Sequence, residues 1–306
     1  MPAQATAPPR PRGRMADIGC GRCLHTILAG PTGGPQPLVV LEAGAFGFSA
    51  DWAAVQEKLS RRGLRSLAYD RAGLGFSRPG PEPRDGQAIV HDLERLLAHL
   101  GEPGPFVLCG HSMAGLHVRL FAAGNAGRVV GVVLVDATTP EAMDSKMISG
   151  FVQHFGRASR LAAWGAEAGL LAPLSGTGLG DAIGLEGAPG MEKRWAFAHP
   201  GHNHWAAREV QCWTDSARQA REAGHFDPRL PVAVILTGTA ADRTGFRALQ
   251  TAPARASDHG LVDYVAGASH ATMLNGVFAD AIIRGVEHAM GVTVEDAGGA
   301  GSRVES

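Results

Sequence analysis

Continuous apolar runs of strand length recur along the chain: "PLVVLEAG" (37–44), "SLAYD" (66–70), "FVLCG" (106–110), "VVGVVLVDA" (129–137), "PVAVILTG" (231–238) and "LVDYVAGA" (261–268). Their apolar positions are largely consecutive rather than alternating, the pattern of strands buried on both faces. Helical spacing fills the gaps. In "GQAIVHDLERLLAHLG", Ile89, Leu93, Leu96, Leu97 and Leu100 fall on one stripe, and no Gly or Pro interrupts Asp92 to Leu100. Strands alternating with helices predict an α/β domain around a mainly parallel sheet. The alternation lapses once, from about Thr138 to Arg229, where no run predicts a strand. A segment of that length is too long for a loop in a compact domain. It is read as an inserted, mostly helical cap over 138–229 that contains Trp164, Trp195, Trp205 and Trp213. Those rings suit either an apolar lid over a pocket or the insertion's own small core.

The expected organisation is therefore a core of 15–137 and 230–291, interrupted by the cap and flanked by loose tails at 1–14 and 292–306. The first tail is rich in Pro, Ala and Arg and lacks the apolar stretch of a secretory signal, and the last is poor in large apolar residues. No apolar run approaches the ~20 residues needed to span a bilayer. Cytoplasmic residence is the expectation. With 306 residues, 45% of them hydrophobic, the chain is long enough to bury a full core. A formal net charge of -1 gives no electrostatic reason to expect nucleic acid or an anionic membrane as partner, which directs attention to small-molecule chemistry.

Four cysteines are too few for a disulfide scaffold, and the Cys20-x-x-Cys23 pair has no second pair to complete a zinc site. In "HPGHNHW", His199, His202 and His204 lie close together without a carboxylate partner or an H-E-x-x-H spacing, so a solvated cap loop is expected there rather than a metal site.

The chemistry concentrates in "FVLCGHSMAG". Ser112 follows an apolar strand and precedes a helical pattern, with Gly110 two positions before it and Ala114 two after, then Gly115. Small neighbours permit the strained turn that lifts a nucleophilic hydroxyl clear of a sheet edge. The usual pattern is G-x-S-x-G, so Ala114 is a departure that remains small. In "LEAGAFG" a glycine turn follows the first strong strand, where the backbone N–H of Ala45, beside that of Met113, is placed to form an oxyanion hole. "VAGASHATML" puts His270 after the last strand, and nucleophile first with histidine last is the chain order of one particular triad architecture.

Taken in order, Val39 to Gly44, Asp51-Trp52, Tyr69 to Ser77 ("YDRAGLGFS"), Gly110 to Gly115, Leu134 to Pro140 and Ser269-His270 resemble the α/β-hydrolase superfamily, in particular bacterial serine esterase-like members. The resemblance runs from about Ile18 to Gly291 with the cap unmatched. It implies the α/β-hydrolase fold with an inserted helical cap, and a Ser-His-Asp triad needing no cofactor and no metal. Ser112 is then the nucleophile and His270 the general base. Two carboxylates compete to orient the imidazole. Asp242 follows the strand at 231–238, where most of the superfamily carries its acid, but it stands four residues after Gly238 rather than the usual three. Asp136 ends the strand at 129–137, and its "LVDATTPE" context resembles a subgroup in which the later acid is often absent. Asp136 is preferred and Asp242 is the alternative.

Asp70, Arg71 and Glu42 are read as structural: the first two as a turn-stabilising pair, and Glu42 as a carboxylate needing a nearby partner. His111 is the residue commonly found before the serine in the superfamily. The fold hosts many chemistries, but dehalogenases and epoxide hydrolases carry aspartate at the elbow, so Ser112 points to acyl transfer. The expected activity is hydrolysis of a small-molecule carboxylic ester with a hydrophobic part. The alternatives are a ligand-sensing receptor-like protein, a C–C bond hydrolase and an aminopeptidase.

Overall fold

The computed structural model describes residues 8–33, 36–241 and 245–291. Its centre is an eight-stranded sheet: β1 (Arg14–Asp17), β2 (Cys23–Ala29), β3 (Leu38–Glu42), β4 (Ser66–Tyr69), β5 (Phe106–His111), β6 (Val129–Val135), β7 (Val232–Thr237) and β8 (Gly260–Val265). The spatial order is β1-β2-β4-β3-β5-β6-β7-β8, with β1–β2 and β2–β4 antiparallel and every other pairing parallel. The six strands expected from the apolar runs are all present. β1 and β2 were not expected, because they are an edge pair with mixed burial and lack a continuous apolar signal.

Alternate residues of the central strands feed two separate cores, as the period of two dictates. Val39, Leu41, Val107, Cys109, Val133 and Ile235 face α1 (Ala53–Arg61) and α9 (Asp280–Ala289). Leu38, Val40, Leu108, Val132, Leu134 and Val234 face α2 (Gly86–His99) and α3 (Ala114–Gly124). The stripe anticipated in α2 buries Ile89, Leu93, Leu96 and Leu97, and Asp85 caps its start by accepting from the Ala88 N–H at 3.0 Å. Helices on both faces of a mainly parallel sheet are the fold expected from the sequence.

Between β6 and β7 run α4 (Lys146–Glu167), α5 (Gly187–Ala198), α6 (Pro200–Gln211) and α7 (Trp213–Glu222), while α8 (Gly245–Arg255) lies between β7 and β8. Within the expected insertion, α7 packs on α2 and α3, and its Gln219 bonds the N-terminal end of α2 at Gln87 and Asp85. By packing it joins the helical layer of the core. The tryptophans divide: Trp213 is buried, Trp195 stacks on Phe76, and Trp164 is 62% exposed on the outer side of α4. Trp164 is thus no part of an inner apolar lining.

Two expectations are corrected. The loose N-terminal tail does not reach residue 14, since Arg14 begins β1 and Arg12 forms a bidentate pair with the fully buried Glu192 of α5. Residues 1–7 and the expected tail at 292–306 lie outside the described residues. The histidine-rich segment is a helix rather than a solvated loop: His199 caps α6 by accepting from the His202 N–H, Pro200 is its first residue, and His202 is 3% exposed. Among the described residues no helix is long and apolar enough to cross a membrane.

Candidate active site

Ser112 stands between β5 and α3 with φ of 57°, in the left-handed region that a non-glycine residue enters only under strain. Backbone bonds hold it there. Its N–H donates to Val135 O (3.1 Å), and its carbonyl accepts from Gly115 (3.2 Å) and Thr138 (2.9 Å). Gly110 and Gly115 are obligatory on space rather than on φ. A Cβ on Gly110 would lie 2.7 Å from Val118 Cγ2, and one on Gly115 would lie 2.5 Å from the carbonyl oxygen of Thr138. Ala114 is fully buried, so its methyl is accommodated where the common pattern has glycine.

The residues the sequence pointed to converge at the C-terminal ends of the strands, where open parallel sheets place their sites. Asp136 directly follows β6 and is itself at φ 41°. Its Oδ2 accepts from His270 Nδ1 at 2.6 Å, and His270 Nε2 is 2.9 Å from Ser112 Oγ. A carboxylate only accepts, so Nδ1 carries the imidazole proton and Nε2 presents a lone pair to the serine hydroxyl. Burial pushes the Asp136 carboxyl up, but the His270 hydrogen bond and charge outweigh it and hold the group below the usual carboxylate range. Gln250 Nε2 (3.4 Å) and Arg247 Nη1 (3.7 Å) face its other oxygen. The alternative acid, Asp242, lies outside the described residues.

His111 ties the histidine loop down from below. Its Nε2–H donates to the His270 carbonyl at 2.9 Å, and burial, with His270 nearby, lowers its pKa to about 3, leaving the ring neutral. Beside Ser112 lie the two backbone N–H groups named from the sequence. Among the described residues neither Ala45 N nor Met113 N donates to a protein acceptor. The turn carrying Ala45 approaches Ser112 closely, because a Cβ on Gly44 would lie 2.9 Å from Ser112 Cβ. An apolar wall continues from this point: buried Met113, Leu116, Val152 and Trp213 pack with partly buried Ala45, Phe46, Met143, Ile148 and Phe155.

The three residues read as structural do more than brace a turn. Asp70 accepts from the N–H groups of Ser49 and Phe76, and pairs with His25 at 3.0 Å. Arg71 sits between two buried carboxylates, Glu42 and Glu209, at 2.8 Å from each. Burial pushes Glu42 up, yet bonds from His117, Arg71 and Tyr69 hold it below its ordinary value. Glu209 was missed. It is a lone acid within α6, and nothing in its local sequence announces a partner 138 positions away. Among the described residues no cluster of His, Cys, Asp and Glu has the makings of a metal site.

A family model described as the α/β hydrolase fold matches residues 37–172. A probable transporter, efuK, of Hormonema carpetanum is 34% identical over 130 residues, which are 41% of this chain and 18% of that protein. The chain thus spans only a small part of that relative's length. Among solved structures, an enol-lactonase from Burkholderia xenovorans LB400 aligns with a TM-score of 0.62 at 23% identity, over 89% of this chain and 99% of that one. An esterase from Thermogutta terrifontis aligns with a TM-score of 0.63 at 19% identity, over 90% and 98% of the two chains.

Proposed function

The chain belongs to the α/β-hydrolase superfamily, and from that premise we propose that it is a serine hydrolase of carboxylic esters that works through an acyl-enzyme. The observation that carries the reading is the unbroken contact chain from Asp136 through His270 to Ser112, ending beside the unengaged N–H groups of Ala45 and Met113. A serine hydroxyl is a weak nucleophile at its own pKa, so His270 Nε2 takes its proton as Oγ attacks the ester carbonyl carbon. Asp136 holds the imidazole in the required tautomer and stabilises the imidazolium. The carbonyl oxygen becomes an oxyanion and accepts from Ala45 and Met113 N–H.

Collapse of this adduct breaks the bond to the alcohol oxygen, which leaves with the proton held on His270. Water then repeats the sequence. His270 removes its proton, the hydroxide oxygen bonds the acyl carbon, and the carboxylic acid departs as Ser112 regains its hydrogen. The apolar wall formed by Phe46, Met143, Ile148 and Phe155 favours esters with a hydrophobic acyl or alcohol part.

Both a lactone and a simple ester present the carbonyl that this chemistry needs. The test is turnover of p-nitrophenyl esters of increasing acyl length, with mass-spectrometric mapping of a fluorophosphonate adduct. Multiple turnovers, with the adduct on Ser112, are expected. A single acylation without turnover would identify a ligand sensor instead, and full activity in Ser112→Ala protein would end the serine mechanism.

A further inference from the structure

Arg71 is 2% exposed, and all three guanidinium nitrogens are engaged. Nε donates to both oxygens of Glu209 at 3.0 Å. Nη1 donates to Glu42 Oε1 at 2.8 Å and to the carbonyl of Ala43 at 2.5 Å, and Nη2 donates to Glu209 Oε2 and to the carbonyl of Gly44, each at 2.8 Å. The last contact bears on catalysis. Gly44 C=O and Ala45 N–H belong to one peptide unit, and in a planar trans peptide they point in opposite directions. An arginine that holds the oxygen on one side aims the N–H to the other, and the near approach of Gly44 to Ser112 places the nucleophile by this turn.

We propose that Arg71 is a positioning residue that orients the 44–45 peptide as an oxyanion donor, and that Glu209 of α6 makes this orientation depend on the docked helical insertion. The proposal rests on the serine-hydrolase reading for its consequence in turnover, but not for its geometry. Further contacts grip the same turn. Gly47 N–H also donates to Gly44 O at 3.0 Å. Lys193 of α5 donates to the carbonyl of Phe46 at 3.2 Å, and Phe46 stands at φ 57°. His202 of α6 lies against the rings of Phe46 and Phe48. The oxyanion turn is thus held from both α5 and α6 as well as from its own strand.

A brace that only stabilised the fold would need neither the carbonyls of this turn nor an acid supplied from the insertion. Arg71→Lys separates the two roles, because lysine keeps a positive charge between Glu42 and Glu209 but lacks the planar fork that reaches two carbonyls and two carboxylates together. Expected in Arg71→Lys is a fall in kcat approaching the ~100-fold that loss of one oxyanion donor costs at the low end. KM should hold, and affinity for a trifluoromethyl ketone, which forms the tetrahedral adduct, should fall by the same factor. Glu209→Gln, which leaves Arg71 in place, should move both quantities in the same direction by less, and it carries the test if Arg71→Lys does not fold. In 15N-labelled protein the Ala45 amide resonance should shift in either variant, a readout independent of turnover. Wild-type kcat and analogue affinity with only a lowered Tm, or an unmoved Ala45 amide, would overturn the proposal. Absence of ester turnover in the wild type, with the Ala45 amide still displaced by the substitutions, would instead overturn the ester reading and leave the positioning intact.

Discussion

At the residue scale, the contacts of Ser112, His270 and Asp136 make unequal demands. On the proposed mechanism Ser112→Ala removes the covalent step, so it is expected to lose on the order of a million-fold in kcat while its circular dichroism is unchanged. Ser112 is only partly buried and among the described residues its hydroxyl bonds only His270 Nε2, so stability should barely move. The acid acts through the imidazole. An amide at 136 can donate to Nδ1 and favour the wrong tautomer, a change that costs serine proteases about ten-thousand-fold. Asp136→Asn is therefore expected to lose far more turnover than Asp242→Asn, measured side by side on one p-nitrophenyl ester. Equal losses would mean that neither acid alone serves His270.

At the element scale, α3 must start directly against the loop that follows β6, since one carries Ser112 and the other Asp136. Gly115 is where they meet, a Cβ there falling 2.5 Å from Thr138 O. Gly131 is the same kind of contact placed elsewhere: a Cβ would fall 2.2 Å from the carbonyl of Ala289, where α9 lies on β6. Overpacking at either position is expected to cost about 1–3 kcal/mol in urea unfolding. The two variants should part company in activity. Gly115→Ala pushes the nucleophile away from the acid and should lower kcat in the folded protein, whereas Gly131→Ala should leave kcat of the folded fraction unchanged. A matched loss of kcat in both would show that the defect is global and not local to the elbow.

At the scale of the whole molecule, burial of neutral imidazoles sets an acid limit on stability. Burial lowers both His111 and His202 to about 3, whereas an unfolded imidazole titrates near ~6.5. Between those values the unfolded chain binds the protons and the folded chain does not, so stability falls as pH drops through that window. Asp136 and Glu42, whose carboxyls are held low, add losses once pH falls below the unfolded carboxylate value of ~4, complete when their folded values are passed. His25 acts in the opposite sense. Burial lowers it, but Asp70, with the Arg12 carbonyl and Glu192, outweighs this and raises it, so its contribution is gained as pH falls to the unfolded value and is constant below it. The urea midpoint should therefore decline steadily below pH ~6.5, and more shallowly in His202→Gln than in wild type. A midpoint flat down to pH ~4 would contradict the burial of these two rings.

Strands β3 to β7 were readable because burial on both faces leaves an uninterrupted apolar run, β8 at the sheet's edge was readable from its apolar residues alone, and Ser112 was readable because a tight elbow demands small residues at fixed offsets from it. β1, at the sheet's edge, and its neighbour β2 left no such trace, since only four of their eleven positions are buried. His199 and Pro200 do carry a start signal for α6, a side chain that caps the helix and a proline at its first position. What local pattern determined on its own was therefore the layered α/β architecture and the candidate residues Ser112 and His270. Only the tertiary structure decided that Asp136 stands against His270 across 134 positions, and that Arg71 joins the oxyanion turn to Glu209 across 138. The physical reason is the same for both. Short-range periodicity reports which way a side chain faces, but a buried charge finds its partner through strand order and helix docking, and many acids in one chain satisfy the same local pattern.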